Sequence, residues 1–199
     1  TDSKVHVIRH LDGICHTYIH KKSDPNLCKE VTFNAKMRRP GICGATETIL
    51  IDYEVLNSHL HMIITALQNE GCLVKGDKEI LKINDSIELA DETDWATEYL
   101  DKIISIKTIK GGVKEAVNHI NEYGSGHTDA ILSEDQLAVD YFLNNVDSGI
   151  VMHNTSTQFA DGGEFGMGAE IGISTSKVHA RGPAVSYTHL TLPTTKQVG

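Results

Sequence analysis

The stretch Thr48-Ile49-Leu50-Ile51-Asp52-Tyr53-Glu54-Val55-Leu56-Asn57-Ser58-His59-Leu60-His61-Met62-Ile63-Ile64-Thr65-Ala66-Leu67-Gln68-Asn69-Glu70-Gly71 decides the fold class. A β-rich run, Thr48 to Asp52, leads straight into a segment of helical period. Leu56, Leu60, Ile63, Ile64 and Leu67 recur at three- and four-residue steps. That spacing predicts a helix over Tyr53 to Glu70 with one apolar face, and Gly71 supplies its stop.

The same change of period repeats on either side. Strand-like runs occur at Val5–Ile8, Thr17–Ile19, Ile103–Ile109, Asp129–Leu132 and Gly149–His153. Pro25 to Lys36 reads as a helix with Asp24 as N-cap and Pro25 at its first position, and it must stop near Arg39-Pro40-Gly41. Val113 to Tyr123 reads as another, with Gly124 beyond its end. Ser133-x-x-Gln136 is a capping-box pattern opening a helix to about Asn145. Gly71 to Asp94 has weak periodicity and many charges and reads as mostly irregular. No internal repeat is visible. Alternating strands and helices indicate an α/β domain with a largely parallel sheet.

Composition narrows the function. Hydrophobic residues make up 40% of the 199 and charged residues 23%, ordinary values for a globular protein. The net charge of −9 argues against nucleic acid or an anionic membrane surface as the main partner, while leaving room for a basic pocket for a small anion. No apolar run approaches the ~18 residues of a membrane span. The four cysteines, Cys15, Cys28, Cys43 and Cys72, form no C-x-x-C pair, so a disulfide framework or zinc knuckle is not expected and a reducing cytoplasm is the simpler setting. His6, His10, His16 and His20 recur closely, but no Asp, Glu or Cys set completes a metal site; His59 and His61 read as surface. The chain opens directly into strand-like residues, with neither an initiator Met nor a leader, as a fragment would.

The chemistry concentrates in Arg38-Arg39-Pro40-Gly41-Ile42-Cys43-Gly44-Ala45-Thr46-Glu47-Thr48. A helix is cut off by Pro-Gly, a small-residue loop presents one cysteine, and a strand follows. Nothing bulky flanks Cys43, so an electrophilic carbon can reach its sulfur, and nearby Arg38 and Arg39 favour a thiolate. From these residues alone Cys43 is equally a small buried hydrophobe. Further on, Gly162 to Gly172 is dense in glycine, interleaved with Phe165, Met167 and Ile171. It reads as a linker or as a packed loop that approaches a ligand closely.

Several separate blocks resemble one family. They are His10-Leu11-Asp12-Gly13-Ile14-Cys15-His16, the Arg-Pro-Gly-Ile-Cys-Gly-Ala-Thr-Glu-Thr run, Asp94 to Asp101, Val113 to Ile131 (with Gly124-Ser125-Gly126-His127-Thr128-Asp129) and Asn154 to Gly172. Together they run from about residue 5 to 183, in order, and resemble the γ-glutamyl phosphate reductases (glutamate-5-semialdehyde dehydrogenases), a branch of the aldehyde dehydrogenase superfamily. The resemblance implies an aldehyde dehydrogenase-like catalytic domain and an oxidoreductase of proline biosynthesis. That enzyme reduces L-glutamyl 5-phosphate to L-glutamate 5-semialdehyde with NADPH, releasing phosphate through a thioester on Cys43. It further implies that Glu98 holds the nicotinamide ribose, that Asn154 through Phe165, with Asn154, Ser156 and Phe165 as candidates, line the substrate pocket, and that the whole protein is a homo-oligomer. Arg38, Arg39 and His127 all remain open as contacts for the substrate's carboxylate or phosphate, with Arg39 the candidate, and no metal is expected. Where ordinary aldehyde dehydrogenases carry a Glu-Leu-Gly-Gly base, this chain reads His10-Leu11-Asp12-Gly13. Loss of a base that would hydrolyse the thioester suits a reductase.

On the same resemblance, residues 1–10 end a nucleotide-binding domain whose remainder precedes them, 11–150 form the catalytic domain, and 151–183 form a glycine-rich substrate loop and return segment. Without the preceding domain, which also contributes an asparagine to the oxyanion hole, this polypeptide is expected to be inactive. Residues 184–199 look like a sequencing-library adapter read as codons and are expected to lack stable packing. Two other readings of the residues are a reductase of the same superfamily acting on a CoA thioester and a non-catalytic module built on a dehydrogenase domain.

Overall fold

The computed structural model describes residues 12–166, 168, 170–175 and 182–185. The expected strand at Val5–Ile8 lies outside them. Strands β1 (Cys15–Ile19), β2 (Thr46–Asp52), β3 (Leu73–Gly76), β4 (Glu88–Leu89), β5 (Ile103–Ile109), β6 (Thr128–Leu132) and β7 (Ile150–His153) form one sheet in the order β4-β3-β5-β2-β1-β6-β7. Every neighbouring pair is parallel. From β1 the chain moves to β2 on one side and later to β6 on the other, so the order reverses at the centre of the sheet.

Five helices connect the strands: α1 (Pro25–Met37), α2 (Leu56–Asn69), α3 (Lys78–Ile83), α4 (Gly112–Tyr123) and α5 (Gln136–Asn145). The period of two in the central strands divides the core. Ile49 and Ile51 of β2 join Ile19, Ile104 and Ile106 beneath α1 and α2, while Leu50 joins Tyr18 and Ile131 beneath α4 and α5. All seven residues of β2 are buried, as a strand covered by helices on both faces requires. Leu60, Ile63, Ile64 and Leu67 are the buried stripe of α2.

Four local expectations need correction. Gly71 to Asp94 is not mostly irregular: β3, α3 and β4 lie within it, each too short to show a period. Asp77 starts α3, its side chain accepting from the Glu79 and Ile80 amides at 2.9 and 3.0 Å. The second helix begins with a 3-10 turn, Tyr53–Val55, before α2. Asp135, not Ser133, caps α5, accepting from Leu137 N–H at 3.1 Å. His59 is buried, its Nε2 against the Ser23 carbonyl at 3.2 Å, whereas His61 is exposed. A separate antiparallel pair joins β8 (Glu170–Ser174) to β9 (Gly182–Val185), so Ala184 and Val185 have strand partners; residues 186–199 lie outside the described residues.

Candidate active site

The candidate residues gather at the amino ends of the central strands. Cys43 precedes β2, Gly13 precedes β1, Glu98 precedes β5 and His127 precedes β6. The loop from Arg38 to Ala45 leaves the last turn of α1 and folds on itself, with Ala45 N–H donating to the Ile42 carbonyl at 2.9 Å. Of the four cysteines, Cys43 alone reaches the surface; Cys15, Cys28 and Cys72 are buried. Burial raises the Cys28 and Cys72 thiols to about 11 and Cys15 well above its ordinary range. Those three are held as neutral thiols at neutral pH, and Cys43 is the one cysteine thiol of the chain that is not buried.

Beneath Cys43 the main chain is gripped from two sides. A Cβ on Gly13 would overlap the carbonyl group and Cα of Cys43, so only glycine fits there. On the other side Gly44 packs on Thr157 and Gln158. Glu98 enters through Gly13: its Oε1 accepts the Gly13 N–H at 2.9 Å. Glu98, the ribose ligand that the resemblance implies, thus stands one residue contact from Cys43, with its second carboxylate oxygen unpartnered among the described residues. That arrangement fits a diol, because one oxygen is held in place while the other can accept a hydroxyl.

The block Gly124 to Ile131 supports this floor from behind. Ser125 Oγ accepts the Ile14 N–H at 2.9 Å, and Asp129 Oδ1 accepts the His16 N–H at 2.8 Å and meets His16 Nδ1 at 3.0 Å. Ser148 donates to the other Asp129 oxygen. His16 and Asp129 are fully buried, and the bonds converging on the Asp129 carboxylate fix their geometry, while His16 Nε2 is left without a partner among the described residues. Gly13, Ser125 and Asp129 are the residues that sequence reasoning did not single out individually. The motif block was visible, but its contact with residues 13–16 spans more than a hundred positions.

A second brace lies across the loop. Lys36, in the last turn of α1, and Glu47, in β2, form a fully buried ion pair at 2.5 Å. Burial pushes the Glu47 carboxyl up to about 7, with Lys36 and the neighbouring backbone of Tyr99 and Leu100 acting in the opposite direction. Leu100 has φ 53°, a left-handed conformation unusual for its type, and its carbonyl lies 3.4 Å from where a Cβ on Gly41 would sit. Glu98 and Cys43 are therefore carried by loops that touch each other.

The open side of the loop is a cleft lined by Arg38, Arg39, Ile42, Gln158, Asp161, Gly163 and Glu164. Arg38 pairs with Glu164 at 2.7 Å and stacks over Phe159 at 5.2 Å. Arg39 is exposed and has no ionic partner among the described residues. Gln158 anchors the cleft, its amide donating to the Ala35 and Arg39 carbonyls at 2.8 and 3.3 Å. Phe165 is exposed beyond Glu164. Ser156 is buried and caps the 3-10 turn Thr157–Phe159, accepting from Gln158 N–H at 3.3 Å. Asn154 is not brought to Cys43. It follows β7 at the carboxyl ends of the strands, where its Oδ1 accepts the Ser133 N–H at 3.0 Å. Among the described residues no group of His, Cys, Asp and Glu is arranged to hold a metal, and no helix is long and apolar enough to cross a membrane.

No protein-family profile matches the chain. Individual proteins do. It is 54% identical over 182 residues to the γ-glutamyl phosphate reductase of Rhodospirillum rubrum, covering 92% of this chain and 42% of that one. The crystal structure of γ-glutamyl phosphate reductase from Thermotoga maritima superposes with a TM-score of 0.89 at 40% identity, covering 92% of this chain and 44% of the other. The NADP complex of glyceraldehyde-3-phosphate dehydrogenase GapN from Methanocaldococcus jannaschii shares the fold, with a TM-score of 0.60 at 17% identity over 75% of this chain and 41% of that one. The chain thus spans less than half the length of the relatives it matches. Over 92% of its length the chain is similar to γ-glutamyl phosphate reductases in sequence and in structure, and its fold is that of the aldehyde dehydrogenases.

Proposed function

We propose that this chain is the nucleophile-bearing part of an enzyme that reduces L-glutamyl 5-phosphate to L-glutamate 5-semialdehyde in proline biosynthesis, using NADPH. The observation that carries this reading is Cys43: the one cysteine that is not buried, on a loop clamped from both sides whose neighbouring residues Arg38, Arg39 and Ile42 line a cleft. The Cys43 thiolate attacks the acyl carbon, the carbon–oxygen bond to phosphate breaks, and a thioester remains on the sulfur. Arg39 faces the anionic groups of the substrate, and Glu98 would hold the ribose of the cofactor. A bound nicotinamide cofactor supplies the hydride that brings the thioester to the aldehyde level. Cys43 then leaves as thiolate. In support, relatives 52% and 54% identical over 182 residues are γ-glutamyl phosphate reductases, and a fold neighbour was solved with NADP. Because the chain spans less than half of these relatives, we expect turnover to require the remainder, and the activity belongs to an oligomeric cytoplasmic whole.

The acyl-transfer half-reaction can be tested on the chain itself. On incubation with acetyl phosphate, intact mass should show one hydroxylamine-labile acetyl group, mapped to Cys43 and absent from Cys43→Ser. Acetylation spread over lysines, with none at Cys43, would remove the basis for this function.

A further inference from the structure

Cys15 takes no part in the chemistry above, yet it lies directly under the nucleophile loop. Its thiol is wholly buried and donates to the carbonyl oxygen of Cys43 at 3.1 Å. On its other side stands His127 Nδ1 at 3.6 Å, itself 2.9 Å from Thr128 Oγ1. A cysteine that reaches the surface thus sits over a cysteine that solvent does not reach, with an imidazole beside the second. That is the arrangement in which an exposed thiol is oxidised first and a neighbour resolves it. The Cys15 sulfur touches the main chain of Cys43, the contact from which a disulfide between the two residues can be reached by rotation of the Cys43 side chain. With the main chain of Cys43 and Gly44 held between Gly13 and Thr157, the movement required is rotation of that side chain about its Cα–Cβ bond.

We propose that Cys15 is the resolving thiol for Cys43, and that peroxide converts the pair into a reversible internal disulfide. In the first step the Cys43 thiol is oxidised to a sulfenic acid as the O–O bond of hydrogen peroxide breaks and one water leaves. In the second, the Cys15 sulfur attacks the sulfenic sulfur. The S–S bond forms, the S–OH bond breaks, and hydroxide departs as the second water with the proton of Cys15, relayed by His127. Two thiols lose two electrons and one peroxide gains them. Burial keeps Cys15 protonated and unreactive toward peroxide directly, which sets the order of events. The disulfide closes the nucleophile against irreversible over-oxidation, and a small dithiol reopens it.

The inference shares with the proposed function only the reactivity of Cys43, so the test separates the two. The chain is treated at neutral pH with hydrogen peroxide, remaining thiols are blocked after denaturation, and the unreduced peptides are mapped; a parallel sample receives iodoacetamide. The expected product joins the Cys15 and Cys43 peptides, with Cys28 and Cys72 still alkylated. Cys15→Ala, at the same dose, should accumulate Cys43 sulfinate and lose dithiol recovery. A wild-type chain in which Cys43 becomes sulfinate while Cys15 remains a thiol, or in which Cys43 joins Cys28 or Cys72, overturns the proposal. If iodoacetamide labels Cys43 in that case, the proposed function stands. A Cys43 inert to both reagents defeats both readings.

Discussion

Lys36 and Glu47 face each other at 2.5 Å across the nucleophile loop, eleven positions apart, with neither side chain reaching solvent. Removing one partner strands a buried charge, whereas removing both does not. Lys36→Met or Glu47→Leu should each cost about 3–5 kcal/mol, and the double variant Lys36→Met/Glu47→Leu should recover most of it. Urea denaturation of the four proteins checks this; a double variant as unstable as the sum of the singles would show that the pair is not coupled.

Two buried groups pull stability in opposite directions with pH. Burial holds His119 down to about 2 from 6.5, with His16 and Lys107 adding to the effect. The unfolded chain therefore takes up this proton first as pH falls. Its contribution is present above about 6.5 and is lost below, by about 1.4 kcal/mol per pH unit. Glu47 is the reverse case: raised from 4.5 to about 7, it keeps its proton longer in the folded chain, so its contribution declines as pH rises between those values. Between pH 4.5 and 6.5 the two slopes oppose each other, so melting curves should show stability falling more steeply with rising pH in His119→Phe and rising more steeply in Glu47→Gln than in the parent. Unchanged slopes would contradict the assignment.

Gly13→Ala is expected to be the most disruptive glycine substitution, because the added carbon meets the Cys43 backbone rather than a flexible side-chain end. Overpacking of that kind costs about 1–3 kcal/mol, and Cys43 labelling by iodoacetamide should change with it. Gly71→Ala makes the control: φ is 77° there with open space around, so it should cost about 1 kcal/mol and leave Cys43 labelling as it was.

The two arginines should separate. Arg38 is partly solvated in its pair with Glu164, and Arg38→Ala should change stability by no more than about 1 kcal/mol. Arg39→Ala should slow acylation of Cys43 by acetyl phosphate about tenfold, the weight of one charge-assisted contact. Alkylation by neutral iodoacetamide should stay unchanged. Equal loss with both reagents would assign Arg39 to the loop and not to the anion.

Much of the fold was legible because it rests on long periods. Ile103–Ile109 and the helix ending at Tyr123 appear where the sequence placed them, and Asp24 caps α1 through Leu27 N–H at 2.7 Å. What escaped was short. The six residues of α3 and the two of β4 never complete a repeat. His59 looked like surface when judged by its neighbour His61, yet its place three residues beyond Leu56 and four before Ile63 puts it at the edge of the buried stripe. At the site, Cys43 stood out because its flanking residues are small. The roles of Gly13, Ser125 and Asp129 are written only in contacts between distant segments, which no local pattern records. Asn154 shared a motif with cleft residues, but three positions of chain were enough to carry it to the other end of the sheet.

The position of the cleft at the amino ends of parallel strands has an electrostatic consequence. Ligands of doubly wound sheets usually meet the opposite edge, where helix amino termini offer partial positive charge and unsatisfied N–H groups to phosphates. Here α1 and α4 end their last turns toward Cys43 and Ser125, so the nearest helix dipoles turn carbonyl oxygens, worth about half a negative charge each, toward the nucleophile. An anion entering at this edge meets the carboxyl ends of α1 and α4, so the charge that offsets them within the loop is that of Arg39, exposed and without an ionic partner among the described residues, Arg38 being paired with Glu164.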